Sequence, residues 1–205
     1  MPLITKRNKW LALGGWYVAF CVLYLITGQV HWRAPFQLPM WRVDEMIPFI
    51  GWTVWVYFSQ YALLLLGVWC IATTSNLTRL IYGLSLASLC GFLIFTLWPI
   101  TLPRAPHNLS GSSAFLFQFL YSIDTPTNCF PSLHVALAWL AALAVAAEHR
   151  WCRVPVFLWA GLISLSTITT KQHYCADVLG GLALAAICQA LTHHLLARLS
   201  HEVDG

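Results

Sequence analysis

Two stretches of this chain carry side chains that packing alone does not explain. The first is Cys129-Phe-Pro-Ser-Leu-His-Val-Ala136, at the head of an apolar run; the second is Thr170-Lys-Gln-His-Tyr-Cys-Ala-Asp-Val-Leu-Gly-Gly181. In the first, Pro131 is expected in the opening turn of a helix, where its missing N–H is harmless. Ser132 and His134 then share that turn with backbone N–H groups that have no intrahelical acceptor, an arrangement that suits a phosphate. In the second, His173 and Asp177 are four apart and are expected on one face of a helix. A carboxylate on one imidazole nitrogen fixes the tautomer and leaves the other nitrogen free as nucleophile or base. Gly180 and Gly181 are expected to allow close helix packing. A third stretch, Trp98-Pro-Ile-Thr-Leu-Pro-Arg-Ala-Pro106, holds Arg104 between two prolines that restrict its direction. Lys171 adds a further cation two residues before His173.

Taken singly, a histidine at a helix end is an interfacial residue, Arg104 and Lys171 are membrane-surface anchors, and Pro131-Ser132 is a helix start. Those readings weaken together, because two histidines, one aspartate and two cations converge on one side of the chain's topology. A His/Asp pair also suits zinc, but such a site needs three or four ligands and no third is found. No metal and no organic cofactor is therefore expected.

The elements that must position these groups follow from composition. Of 205 residues, 59% are hydrophobic and 9% charged, against roughly 25% charged in a soluble domain. That disfavours an aqueous enzyme, a secreted disulfide scaffold, a disordered chain and a nucleic-acid binder. The net charge of +4 forms no basic patch. The expectation is one polytopic membrane domain over residues 1–205, an all-α bundle of six transmembrane helices at about 20 residues per crossing. The apolar runs are 10–27, 49–73, 80–99, 133–147, 155–170 and 174–199, the fourth and fifth being short. The first lacks a convincing cleavage site and is read as a retained helix. A polar segment, 31–48, contains the adjacent acids Asp44-Glu45. The longest hydrophilic connection, 101–131, contains an expected short interfacial helix at 115–121.

Cations set the expected orientation. Lys6, Arg7, Lys9, Arg79, Arg150, Arg153 and Arg198 fall on one side, and Arg33, Arg42, Arg104 and Lys171 on the other. That bias puts both termini in the cytoplasm, and Trp32, Trp41, Trp52 and Trp98 at the outer interface. Of seven cysteines, Cys129 and Cys175 flank the chemistry-bearing stretches. They are read as unpaired thiols, although an oxidising compartment would permit a bridge.

Pro131-Ser132-Leu133-His134, followed after 38 residues by His173-x-x-x-Asp177, resembles the type-2 phosphatidic acid phosphatase superfamily. That family's pattern is K-x6-R-P, then P-S-G-H, then S-R-x5-H-x3-D. Here Leu133 replaces the glycine, Ala105-Pro106 follow Arg104, and Leu97 stands where the lysine belongs. Ser166 and Thr167 occupy the S-R positions, so the second arginine is missing and Lys171 is the candidate to replace its charge. The flavour of both motifs is similar to the branch that includes inositol phosphorylceramide synthases, which transfer a phosphorylated headgroup between lipids. The resemblance implies six helices and a membrane-embedded lipid phosphate substrate. It also implies an integral protein of a bacterial inner membrane, with the site facing the periplasm. It casts His173 as nucleophile, Asp177 as its stabiliser and His134 as acid and base, with Arg104, Lys171 and Ser132 on the phosphate. Hydrolysis is the expected reaction and headgroup transfer the alternative; a non-catalytic lipid-binding or transport protein stands third.

Overall fold

A computed structural model describes residues 3–104 and 109–203, the last helix beyond Ala197 by its backbone alone. Ala105-Pro106 and the side chain of Arg198 thus lie outside the described residues. The helices are α1 (Lys9–Thr27), α2 (Arg42–Met46), α3 (Val54–Cys70), α4 (Thr74–Leu97), α5 (Gly111–Ile123), α6 (Leu133–Glu148), α7 (Arg153–Thr169) and α8 (Cys175–Val203). Among the described residues there is no strand. Isolated bridges join Phe36 to Ile100 and Ile100 to Asn128, so three connecting segments run side by side at the end of the bundle that carries the candidate residues.

Among the described residues, five helical segments are long and apolar enough to cross a membrane: Lys9–Thr27, Gly51–Cys70, Thr74–Leu97, Arg150–Thr169 and Cys175–Ala197. The fourth expected run, 133–147, forms α6, whose 16 residues reach only about 24 Å at 1.5 Å per residue. Its position accounts for its length. α6 is the central helix, packed by α3, α4, α7 and α8, and a helix wrapped in protein need not match the hydrocarbon thickness by itself. Its alanines make this possible: Ala136, Ala138, Ala141 and Ala142 are fully buried, and small side chains let neighbouring backbones approach. The outer faces are the reverse of a soluble protein's, with Leu11, Val18, Leu93 and Leu158 all exposed. The chain is an integral membrane protein.

Polar residues tie the end away from the candidate site. Lys9 donates from Nζ to the carbonyls of Val68 (2.6 Å) and Trp69 (2.9 Å), a cation on the open C-terminus of α3. Glu148 accepts from the N–H groups of Ala72 and Thr73, the Thr73 hydroxyl and the Asn76 amide, and so caps the start of α4. That is why α4 begins at Thr74, whereas hydropathy alone starts the run at 80. Two further boundaries depart from expectation: α5 is longer than 115–121, and the segment 31–48 contains the unforeseen α2.

Candidate active site

α6 starts later than its sequence suggests. Pro131 precedes the helix, and Ser132 is the N-cap, its Oγ accepting from the Val135 N–H at 3.4 Å. The Ser132 N–H donates to the Asp177 carbonyl at 3.0 Å, which joins the start of α6 to the first turn of α8. The glycine pair makes that join possible. A Cβ on Gly181 would lie 2.5 Å from the Ser132 carbonyl oxygen, and one on Gly180 would lie 2.6 Å from the Phe130 ring. Leu133, where the motif has glycine, is accommodated by Gly91 of α4, whose added Cβ would fall 2.7 Å from the leucine methyl.

His173 stands just outside α8, not on its face. The N–H groups of Gln172 and His173 both donate to the Thr167 carbonyl at 3.0 Å. The chain turns there through Lys171, whose φ of 56° is left-handed. α8 begins at Cys175, and Asp177 lies in its first turn. Asp177 Oδ2 accepts the Tyr174 N–H at 2.8 Å, the reciprocal contact of a helix cap, and lies 3.5 Å from His173 Nδ1. Asp177 Oδ1 is buried without a partner. The two side chains thus come within ion-pair distance through a cap geometry in place of a shared helix face, and His173 Nδ1 makes no hydrogen bond.

A residue that sequence reasoning gave no role secures this turn. Asp44, 2% exposed, accepts the Cys175 N–H on Oδ1 at 2.7 Å and the Trp41 N–H on Oδ2 at 2.9 Å. Burial opposes its charge, but these hydrogen bonds and nearby Lys171 prevail and hold the carboxyl below its ordinary range. Lys171 Nζ donates to the carbonyls of Asp44 (2.9 Å) and Ile47 (2.5 Å). The Ile50 N–H donates to the Thr169 carbonyl at 2.9 Å. Segment 41–50 is thus strapped across the α7–α8 turn that bears His173. The only signal for this in the sequence is the adjacent acid pair Asp44-Glu45.

His134 and His173 both line a cavity of about 420 Å³ that runs from the segment 124–129 down between α1, α3 and α6. The His134 ring stacks on Tyr57 at 3.8 Å between centroids and meets Tyr61 edge-on at 6.2 Å, with its Nε2 unpartnered. Asp124 also lines the cavity and was not anticipated. Tyr24 donates its hydroxyl to Asp124 Oδ1, and Arg104 pairs with Oδ2 at 3.1 Å. Burial raises the Asp124 carboxyl above its ordinary range against the pull of both partners, and it pushes the Cys129 thiol up. All seven cysteines are free, Cys129 and Cys175 among them.

Of the three expected catalytic residues, His134 and His173 share the cavity wall and Asp177 lies behind His173, whereas the three expected phosphate ligands are not gathered around that space. Arg104, Ser132 and Lys171 are not part of the cavity wall. Arg104 donates to the Tyr121 and Asp124 carbonyls at the rim, Ser132 is consumed by its cap, and Lys171 by the strap. Residues 29–191 match the family model of the PAP2 superfamily. The chain belongs to the PAP2 superfamily. No curated protein and no solved structure gives a significant match. PAP2 members are generally phosphatases or phosphotransferases, and the matched span runs from just beyond α1 to within α8, across every candidate residue.

Proposed function

We propose that the protein is a lipid phosphate phosphohydrolase that works through a phosphohistidine. The observation that carries this reading is the pair of histidines in one cavity wall, one of them backed by Asp177 at 3.5 Å. With Nδ1 turned to the carboxylate, His173 Nε2 is the free nucleophile. It attacks phosphorus while the bond from phosphorus to the lipid oxygen breaks, and Asp177 stabilises the imidazolium that develops. His134, protonated on Nε2, gives its proton to the departing alkoxide. It then takes a proton from water, whose oxygen displaces His173 and releases inorganic phosphate. Arg104 exchanges Asp124 for a non-bridging oxygen, and the first turn of α6 contributes N–H groups. Lys171 adds positive potential from behind the strap.

In this reading α6 joins the other five as a membrane span, both termini are cytoplasmic, and the cavity mouth faces the periplasm or exterior. An alcohol in place of water turns the same chemistry into phosphoryl transfer, and a phosphodiester lipid as donor turns it into headgroup transfer. The polar mouth formed by Asp124, Asn128 and Gln172 favours that second reading, because it can hold an acceptor's hydroxyl groups. Purified protein supplied with a panel of lipid phosphates, with and without an alcohol acceptor, should release inorganic phosphate. A phosphomonoester of the acceptor in its place, or a new phosphodiester lipid when the donor is itself a phosphodiester, would establish transfer, and the absence of every such product would refute the proposal.

A further inference from the structure

The ring of His134 has a neighbour that the chemistry above leaves unused. Tyr57 of α3, 4% exposed, lies against it with 3.8 Å between ring centroids and 19° between planes. That is close to a face-to-face sandwich. Tyr61, one turn further along α3, meets the same imidazole at 6.2 Å and 87°. The two tyrosines are four apart, so one face of α3 presents both. Tyr57 is itself held in place. It packs with Val54, Phe117 and Leu120, and Phe58 meets it edge-on at 5.7 Å.

The charge carried by aromatic faces gives this arrangement meaning. Neutral rings avoid a direct sandwich, because both faces are negative, and settle offset or edge-to-face at about 4.5–7 Å. A cation over the face of a tyrosine ring is attracted by that same charge. The Tyr61 contact has the geometry of a neutral pair, and the Tyr57 contact that of a pair with one charged ring. Orientation points the same way. The χ2 torsion of histidine is broad, so its ring keeps one plane only where neighbours fix it. Nε2 of His134 has no hydrogen-bond partner to aim it. Among the described residues no carboxylate pairs with the ring: Asp124 is engaged by Tyr24 and Arg104, and Asp177 faces His173. The aromatic face is what remains to do both.

We infer that Tyr57 is a positioning residue for His134, fixing the plane of its ring and stabilising the imidazolium that gives its proton to the leaving oxygen and re-forms when water is activated. This rests on the assignment of His134 as acid and base. The test compares kcat/KM for a lipid phosphate with kcat/KM for an activated aryl phosphate, whose leaving group needs no acid. Tyr57→Leu should lose about tenfold on the lipid, the effect of a cation–π contact in a desolvated site, and far less on the aryl phosphate. Tyr57→Phe keeps the ring and should restore the lipid rate. Increasing fluorination of a phenylalanine at position 57 preserves its shape while draining charge from its face, so the lipid rate should fall stepwise and the aryl rate should hold. Equal losses on both substrates in Tyr57→Leu, or a lipid rate indifferent to fluorination, would overturn the inference. The fluorinated series gives its answer even if Tyr57→Leu fails to fold. His134→Ala assayed beside them separates the two readings. Equal losses on both substrates there would remove the acid assignment itself, whereas a lipid-selective loss there with none in the Tyr57 proteins would overturn this inference alone.

Discussion

Asp44→Ala removes the carboxylate that holds the α7–α8 turn from outside. Two buried N–H donors, of Cys175 and Trp41, lose acceptors at 2.7 and 2.9 Å. An aspartate cap on a helix N-terminus is worth about 0.5–2 kcal/mol, and a buried donor left unpaired costs about 1–3 kcal/mol. The expected loss is about 2–4 kcal/mol, or roughly 5–12 °C in a chain of this size. Asp44→Asn keeps an acceptor for one donor and should lose about half as much. Activity should fall further than stability suggests, because a displacement of about 1 Å at His173 costs on the order of 100-fold. Asp44 also sets a pH dependence. Its folded pKa lies below its unfolded value, near 3.9, so its contribution is present above that value and is lost as pH falls through the folded pKa. The wild type should therefore lose its advantage over Asp44→Ala below about pH 4. Intrinsic tryptophan fluorescence on heating in detergent, with kcat/KM on the same preparation, measures both effects. An Asp44→Ala protein with wild-type melting and wild-type kcat/KM would refute the strap.

Lys171→Met leaves the Asp44 and Ile47 carbonyls without their donor and should lower both melting temperature and kcat, whereas a surface anchor would leave kcat unchanged in detergent. Gly181→Ala drives a methyl to 2.5 Å from a backbone oxygen, so α6 and α8 must part. A cost of about 1–3 kcal/mol and a severe loss of activity should appear in melting and rate measurements. His134→Ala should depress turnover of a lipid alkoxide leaving group far more than that of an activated aryl phosphate; equal losses on the two substrates would remove His134 from the general-acid role.

The residues that announced themselves in the sequence act through local geometry. His173 and Asp177 meet across four positions, Ser132 caps the helix that it precedes, and Gly180-Gly181 mark a close approach. The composition likewise announced a helical membrane protein, since lipid-facing surface has to be apolar. What stayed hidden acts over long separations in the chain. Asp44 reaches Cys175 across 131 residues, and Tyr24 reaches Asp124 across 100, and no periodicity encodes either pairing. Arg104 and Lys171 were legible as cations but not as cations already engaged, because the carboxylate and carbonyls that hold them are distant in sequence or belong to the backbone. The start of α4 was misjudged for the same reason: its polar first turn is matched by Glu148, some 70 residues later.

The central claim is that phosphorus passes through a covalent bond to His173, and trapping that intermediate tests it most directly. A radiolabelled activated aryl phosphate, whose leaving group needs no acid, is mixed with the His134→Ala protein, in which hydrolysis of the intermediate lacks its base, and the reaction is quenched in alkali and digested. The account predicts acid-labile, alkali-stable label on the peptide carrying His173, absent when His173→Ala is combined with His134→Ala. Label on another residue, or sustained phosphate release by a folded His173→Ala protein, would contradict it.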